Sequence, residues 1–82
     1  MEIGKWYRRK NYEFLQIKDI RQKEFDAIVI RDFSEVEQAP YVFDKGFRTK
    51  SKEFFENIYT EMTNEEVEIL RLRFNTTPFV SI

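Results

Sequence analysis

The chain has no histidine and no cysteine, only two glycines and two prolines, and no apolar run approaching the ~18 residues that cross a bilayer. Each absence excludes a class of chemistry. Without histidine the usual general base, proton shuttle and first-choice metal ligand are missing. Without cysteine there are no disulfides, no thiolate nucleophile and no zinc-thiolate site, which suits a reducing compartment without requiring one. Two glycines cannot build a glycine-rich phosphate loop or a dinucleotide fingerprint, and no calcium-loop spacing is present. The first residues carry no apolar stretch of signal-peptide type, so the expected location is cytoplasmic, with no membrane association.

What the chain does have is aromatic and charged. Nine Phe, four Tyr and one Trp stand among 82 residues, and 35% of positions are charged. That length makes one small domain, residues 1–82, and large rings bury much area per residue where the core is thin. Net charge is −1, with no global pull toward nucleic acid or membrane. The charge is arranged in blocks: residues 1–23 carry +4, 24–44 carry −5, 45–52 carry +4, 53–68 carry −6 and 69–82 carry +2. Such blocks either lie beside one another in the fold or form solvated patches.

The run Phe25–Phe33 is dense in β-branched residues and reads as the central strand. Phe25, Ala27, Val29 and Phe33 fall on one face and Ile28 and Ile30 on the other, so both faces want cover. Before it, residues 5–9 read as a short strand and Tyr12–Ile20 as a second. Arg21–Glu24 forms the link of an antiparallel hairpin. After it, Ser34–Pro40 reads as a loop, Tyr41–Phe43 as a fourth strand, Asp44-Lys45-Gly46 as a tight turn and Phe47–Thr49 as a fifth strand.

From Ser51 the period changes. Phe54, Phe55, Ile58, Tyr59 and Met62 fit a helix capped by Ser51, yet Ile58, Thr60 and Met62 also alternate, which fits one helical turn followed by a short strand. Thr63-Asn64-Glu65-Glu66 is a capping box that starts a helix with Val67, Leu70 and Phe74 on one face, while Ile69 and Leu72 widen or spoil that stripe. Asn75–Pro78 ends it. The tail Phe79-Val80-Ser81-Ile82 is apolar enough to pair as an edge strand, dock on the core or bind a partner.

Together these elements predict an α+β domain: a small curved antiparallel sheet of about five strands, an SH3-like barrel, with a C-terminal helix. For chemistry, Asp32, Glu35 and Glu37 lie close in sequence but match no metal spacing, and Ser51 suits a helix cap better than a nucleophile. No catalytic residue, metal site or cofactor is predicted, and the chain reads as a non-enzyme. Lys5-Trp6-Tyr7-Arg8-Arg9-Lys10 interleaves cations with rings, as base-stacking surfaces do, and a second basic block holds Lys45, Arg48, Lys50 and Lys52. The expected function is protein–protein binding, with Trp6, Tyr7, Arg8, Arg9, Tyr41, Phe43 and Arg48 as candidate contact residues. Nucleic-acid binding through the aromatic and basic surface is the alternative. Oligomeric state has no sequence signal.

The opening Gly4-Lys5-Trp6-Tyr7, the strand-rich middle and the ending Tyr59–Val67 resemble short bacteriophage or prophage proteins that form SH3-like barrels with an added C-terminal helix. The resemblance implies a phage-type accessory protein that binds a host or phage macromolecule, inhibition of a host system being one such role. It carries over no functional residue.

Overall fold

The computed structural model describes residues 1–32 and 43–75. Five strands, β1 (Trp6–Arg9), β2 (Glu13–Ile20), β3 (Glu24–Asp32), β4 (Phe43–Ser51) and β5 (Thr60–Glu61), form one sheet of order β4-β3-β2-β1-β5. The strand pairs are antiparallel. The sheet is open: among the described residues β4 and β5 are its two edges and do not pair with each other. The expected α+β class and five-stranded antiparallel sheet are present.

Turn chemistry sets the registers. Gly4, at φ 89°, turns the chain into β1, and Ile17 N–H donates to the Lys5 carbonyl, extending the β1–β2 ladder. Arg9 pairs with Glu13 across a three-residue turn in which Lys10 takes φ 53°, a left-handed conformation that a side chain adopts at a cost. The Arg21–Glu24 link closes the expected β2–β3 hairpin, with Arg21 N–H donating to the Glu24 carbonyl. Between Ile17 and Asp19 the register shifts, leaving Lys18 as the extra residue of a bulge.

The second half departs from expectation in one element and resolves another. Asp44-Lys45-Gly46 is not a turn: β4 runs unbroken from Phe43 to Ser51. The Arg48 guanidinium lies where a Cβ at position 46 would stand, so glycine serves close approach there and not reversal of the chain. Of the two patterns open for residues 51–62, the structure takes the helical turn followed by a short strand. A 3₁₀ turn (Lys52–Phe54), capped by the Ser51 hydroxyl accepting from Glu53 N–H, leads into helix α1 (Phe55–Ile58) and then β5. Thr63 and Glu66 form the capping box reciprocally, each side chain accepting from the other's backbone N–H, and α2 runs from Asn64 to Asn75. The expected loop 34–40, Phe33, Tyr41 and the apolar tail lie outside the described residues.

Both faces of β3 are covered, and each face has its own core. On one, Phe25, Ala27 and Val29 pack with Tyr7, Leu15 and Ile17 beneath Phe55 of α1. Phe55 meets Tyr7 and Phe25 edge-on at 4.8 and 5.2 Å and stacks on Tyr59 at 5.5 Å. On the other face, Ile30 packs with Trp6, Phe14 and Met62 beneath Leu70 and Phe74 of α2. Trp6 and Tyr7, adjacent on β1, therefore enter different cores, as strand alternation requires. Rings on both faces give a short chain two apolar layers from one sheet.

Candidate protein-binding surface

The residues nominated from sequence do not gather into one surface. Trp6 and Tyr7 are buried, 7% and 5% exposed, and fill the two cores. Arg8, on the α2 face, donates from Nε to Glu66 Oε2 at 2.9 Å. Arg9, on the α1 face with Tyr7, places its guanidinium 6.0 Å from the centre of the Tyr12 ring, a cation–π distance. Arg48 folds along β4 and donates from Nη1 to the Phe47 carbonyl. Phe43 opens β4 opposite Asp32, and Tyr41 lies outside the described residues.

Asp26 and Asp32, the acids that frame β3, are structural partners. Asp26 accepts two hydrogen bonds from Arg21, at 2.6 and 2.9 Å, and one from the Thr49 hydroxyl at 2.7 Å. Those donors hold its carboxyl down at about pKa 2. Asp32 is buried and paired with Arg73, which ties the last turn of α2 to the end of β3. Glu13 is also buried. Burial alone would raise its pKa, but the Tyr59 hydroxyl, the Arg31 guanidinium at 3.0 Å and the charge of Lys50 outweigh it and hold the group below its ordinary value. A carboxylate so surrounded is a cross-strand tie.

Some apolar side chains remain exposed. Ile69 and Leu72 of α2 are 59% and 66% exposed, and their spacing of three puts them on one flank of the helix. Ile69 lines a groove of about 400 Å³ with Phe14, Met62 and Leu70, with Arg8, Glu66 and Arg73 at its polar margin, and Leu72 stands outside that lining. The capping box fixes this margin: the Thr63 backbone N–H and then the Arg8 guanidinium stabilise ionised Glu66 and lower its pKa against its partial desolvation. A smaller recess on the other face holds Phe54 and Ile58, both exposed, beside Arg9 and Lys50.

Ile69 and Leu72 were not among the contact residues expected from sequence. Their position beside the Val67, Leu70, Phe74 stripe fits either a wider buried face or an outward-facing flank, and their exposure decides for the second. The groove beside them depends on how α2 sits on Phe14 and Met62, for which local sequence has no marker. Fold and surface together define a small α+β domain with an open antiparallel sheet and an exposed apolar helix flank. Comparison with family models, curated proteins and solved structures returned no match. No helix among the described residues is long and apolar enough to cross a membrane.

Proposed function

We propose that this chain is a small non-enzymatic binding protein that engages a protein partner through the outer flank of α2. The observation that carries the reading is the exposure of Ile69 and Leu72 beside a groove with an apolar floor and an ionic margin. Aliphatic side chains so exposed gain by transfer from water, about 25 cal/mol per Å² of apolar surface removed, and a core of buried anchors within a polar rim is the anatomy of protein interfaces. The partner presents an apolar anchor to the groove. In this reading the chain is an accessory protein of the phage type that its layout resembles, its sheet an opened relative of the SH3-like barrel, and inhibition of a host system is one use of such binding.

The experiment is retention of partners from a host lysate on immobilised wild-type protein and on a variant carrying Ile69→Asp and Leu72→Asp. A protein retained by the wild type and lost with the variant supports the reading. Equal retention on both contradicts it. The nucleic-acid alternative keeps the cations of β1 and β4 as its support, whereas Trp6 and Tyr7, the rings it needs for base stacking, are buried.

A further inference from the structure

The two edges of the sheet differ. β5 is two residues long and offers little to pair with, whereas β4 runs nine residues without a proline, and its register against β3 has no bulge. Among the described residues no strand pairs with the outer side of β4.

Two hydrogen bonds fix which backbone groups of β4 face outward. Lys52 N–H donates to the Lys23 carbonyl, which continues the Glu24–Ser51 register as a hydrogen-bonded pair. Alternation then turns the N–H and C=O of Asp44, Gly46, Arg48 and Lys50 toward β3, and those of Phe43, Lys45, Phe47, Thr49 and Ser51 away from it. The bond from Asp32 N–H to the Tyr12 carbonyl gives the same answer from the far side of β3. It turns Ile28, Ile30 and Asp32 toward β2 and leaves Ala27, Val29 and Arg31 to bond β4. The middle residue of the outward set is Phe47, whose side chain is 57% exposed.

From this geometry we propose that β4 pairs antiparallel with β4 of a second copy of the chain, about a two-fold axis at Phe47. In that register every outward-facing residue meets another: Phe47 meets Phe47, Lys45 meets Thr49 and Phe43 meets Ser51. The overlap is the whole strand, and the two exposed Phe47 residues stand opposite at a Cα separation of about 5.5 Å, as an aromatic cross-strand pair. By register position Arg48 stands opposite Gly46 and Lys50 opposite Asp44, so no like charges meet. Sliding one copy by two residues shortens the overlap and, in one direction, sets Arg48 opposite Arg48. The bonds join backbone groups, so Lys50 keeps its contact with Glu13, and the Phe47 carbonyl, with two lone pairs, accepts from the second copy as well as from Arg48. This edge is separate from the α2 flank that carries Ile69 and Leu72, and the inference does not depend on that reading.

Sedimentation equilibrium of the full chain tests this. The wild type should pass from one chain to two with a dissociation constant at or below about 1 mM. Phe47→Lys, at an exposed position, sets two cations opposite each other at the axis and should raise that constant at least about tenfold, while Ile69→Asp with Leu72→Asp leaves it unchanged. The register has its own readout, because the chain contains no cysteine. On oxidation with diamide, the Phe47→Cys variant should form a covalent dimer. The Lys45→Cys variant should not, since its two copies of residue 45 lie four residues apart along the strands, roughly 13 Å and out of disulfide reach. The cysteine pair decides alone if Phe47→Lys does not fold. A wild type that stays monomeric, its β4 edge taken by another segment of its own chain or by a foreign strand, overturns the assignment. So does an unchanged dissociation constant in folded Phe47→Lys, or cross-linking of Lys45→Cys as fast as that of Phe47→Cys.

Discussion

The Tyr59 hydroxyl donates a hydrogen bond to the buried carboxylate of Glu13, joining the segment between α1 and β5 to the first residue of β2. Arg31 and Lys50 complete the carboxylate's shell from β3 and β4, so one acid links four parts of the fold. Tyr59→Phe keeps the ring stacked on Phe55 and removes only the donor. It should lower unfolding free energy by about 1–3 kcal/mol in urea titrations at neutral pH.

The same pair sets a pH signature. Glu13 titrates lower in the folded chain than its ordinary 4.5, so its contribution is complete above that pH and is lost as pH falls through the folded value. Tyr59 titrates above its ordinary 10.0, because burial and the neighbouring Glu13 disfavour the phenolate. Its contribution is complete below pH 10.0 and is lost as pH rises beyond it. Urea titrations from pH 3 to 11 should therefore show stability falling at both ends for the wild type, with the alkaline fall reduced in Tyr59→Phe.

Phe54 and Phe55 are consecutive and chemically identical, yet 59% and 5% exposed. Phe55→Ala removes the ring that closes the core over Tyr7 and Phe25, and should cost about 3–5 kcal/mol. For a chain of this length total stability is on the order of 4–12 kcal/mol, so that variant approaches unfolding at 37 °C. Phe54→Ala should stay within about 0.5 kcal/mol. Thermal denaturation followed by circular dichroism distinguishes the two.

Lys10 occupies the left-handed conformation in the β1–β2 turn. Lys10→Gly removes the clash between Cβ and the carbonyl, an effect of about 1 kcal/mol after the added flexibility of the unfolded chain is deducted. The expected outcome is a raised melting temperature with no change in the circular dichroism spectrum.

A labelled single-stranded oligonucleotide should bind weakly at physiological salt, because the chain's only Trp and its neighbour Tyr7 face the cores and offer no stacking platform. Any binding at low salt should collapse as salt rises, with a slope set by a few phosphate contacts. Fluorescence anisotropy across a salt series measures this.

The elements most legible in the sequence were those whose local signal coincided with their tertiary role. The alternation of Phe25, Ala27 and Val29 against Ile28 and Ile30 marked a strand needing cover on both faces, and Thr63 with Glu66 marked the start of α2. Gly46 misled, because Asp-x-Gly is a turn signal wherever nothing distant competes. Here the β3 ladder competes, pairing Gly46 with Val29 in the middle of β4. The Trp6–Tyr7 pair misled differently. Alternation separates them onto two faces, but only the arrival of α1 on one side and α2 on the other makes both faces interior. The structural roles of Asp26 and Asp32 had no local marker, because their partners, Arg21, Thr49 and Arg73, come from other elements. Ile69 and Leu72 could equally have widened the buried stripe, and only the docking of α2 leaves them exposed and forms the groove beside them.

The measurement that tests the central claim most directly is the affinity of a retained partner for the wild type and for the Ile69→Asp, Leu72→Asp variant, by isothermal titration calorimetry, with urea unfolding of both proteins measured alongside. If the α2 flank is the docking surface, the double substitution weakens binding by at least about thirtyfold, the effect of losing one interface hot spot, while the unfolding midpoint stays that of the wild type. Unchanged affinity in a folded variant would contradict it.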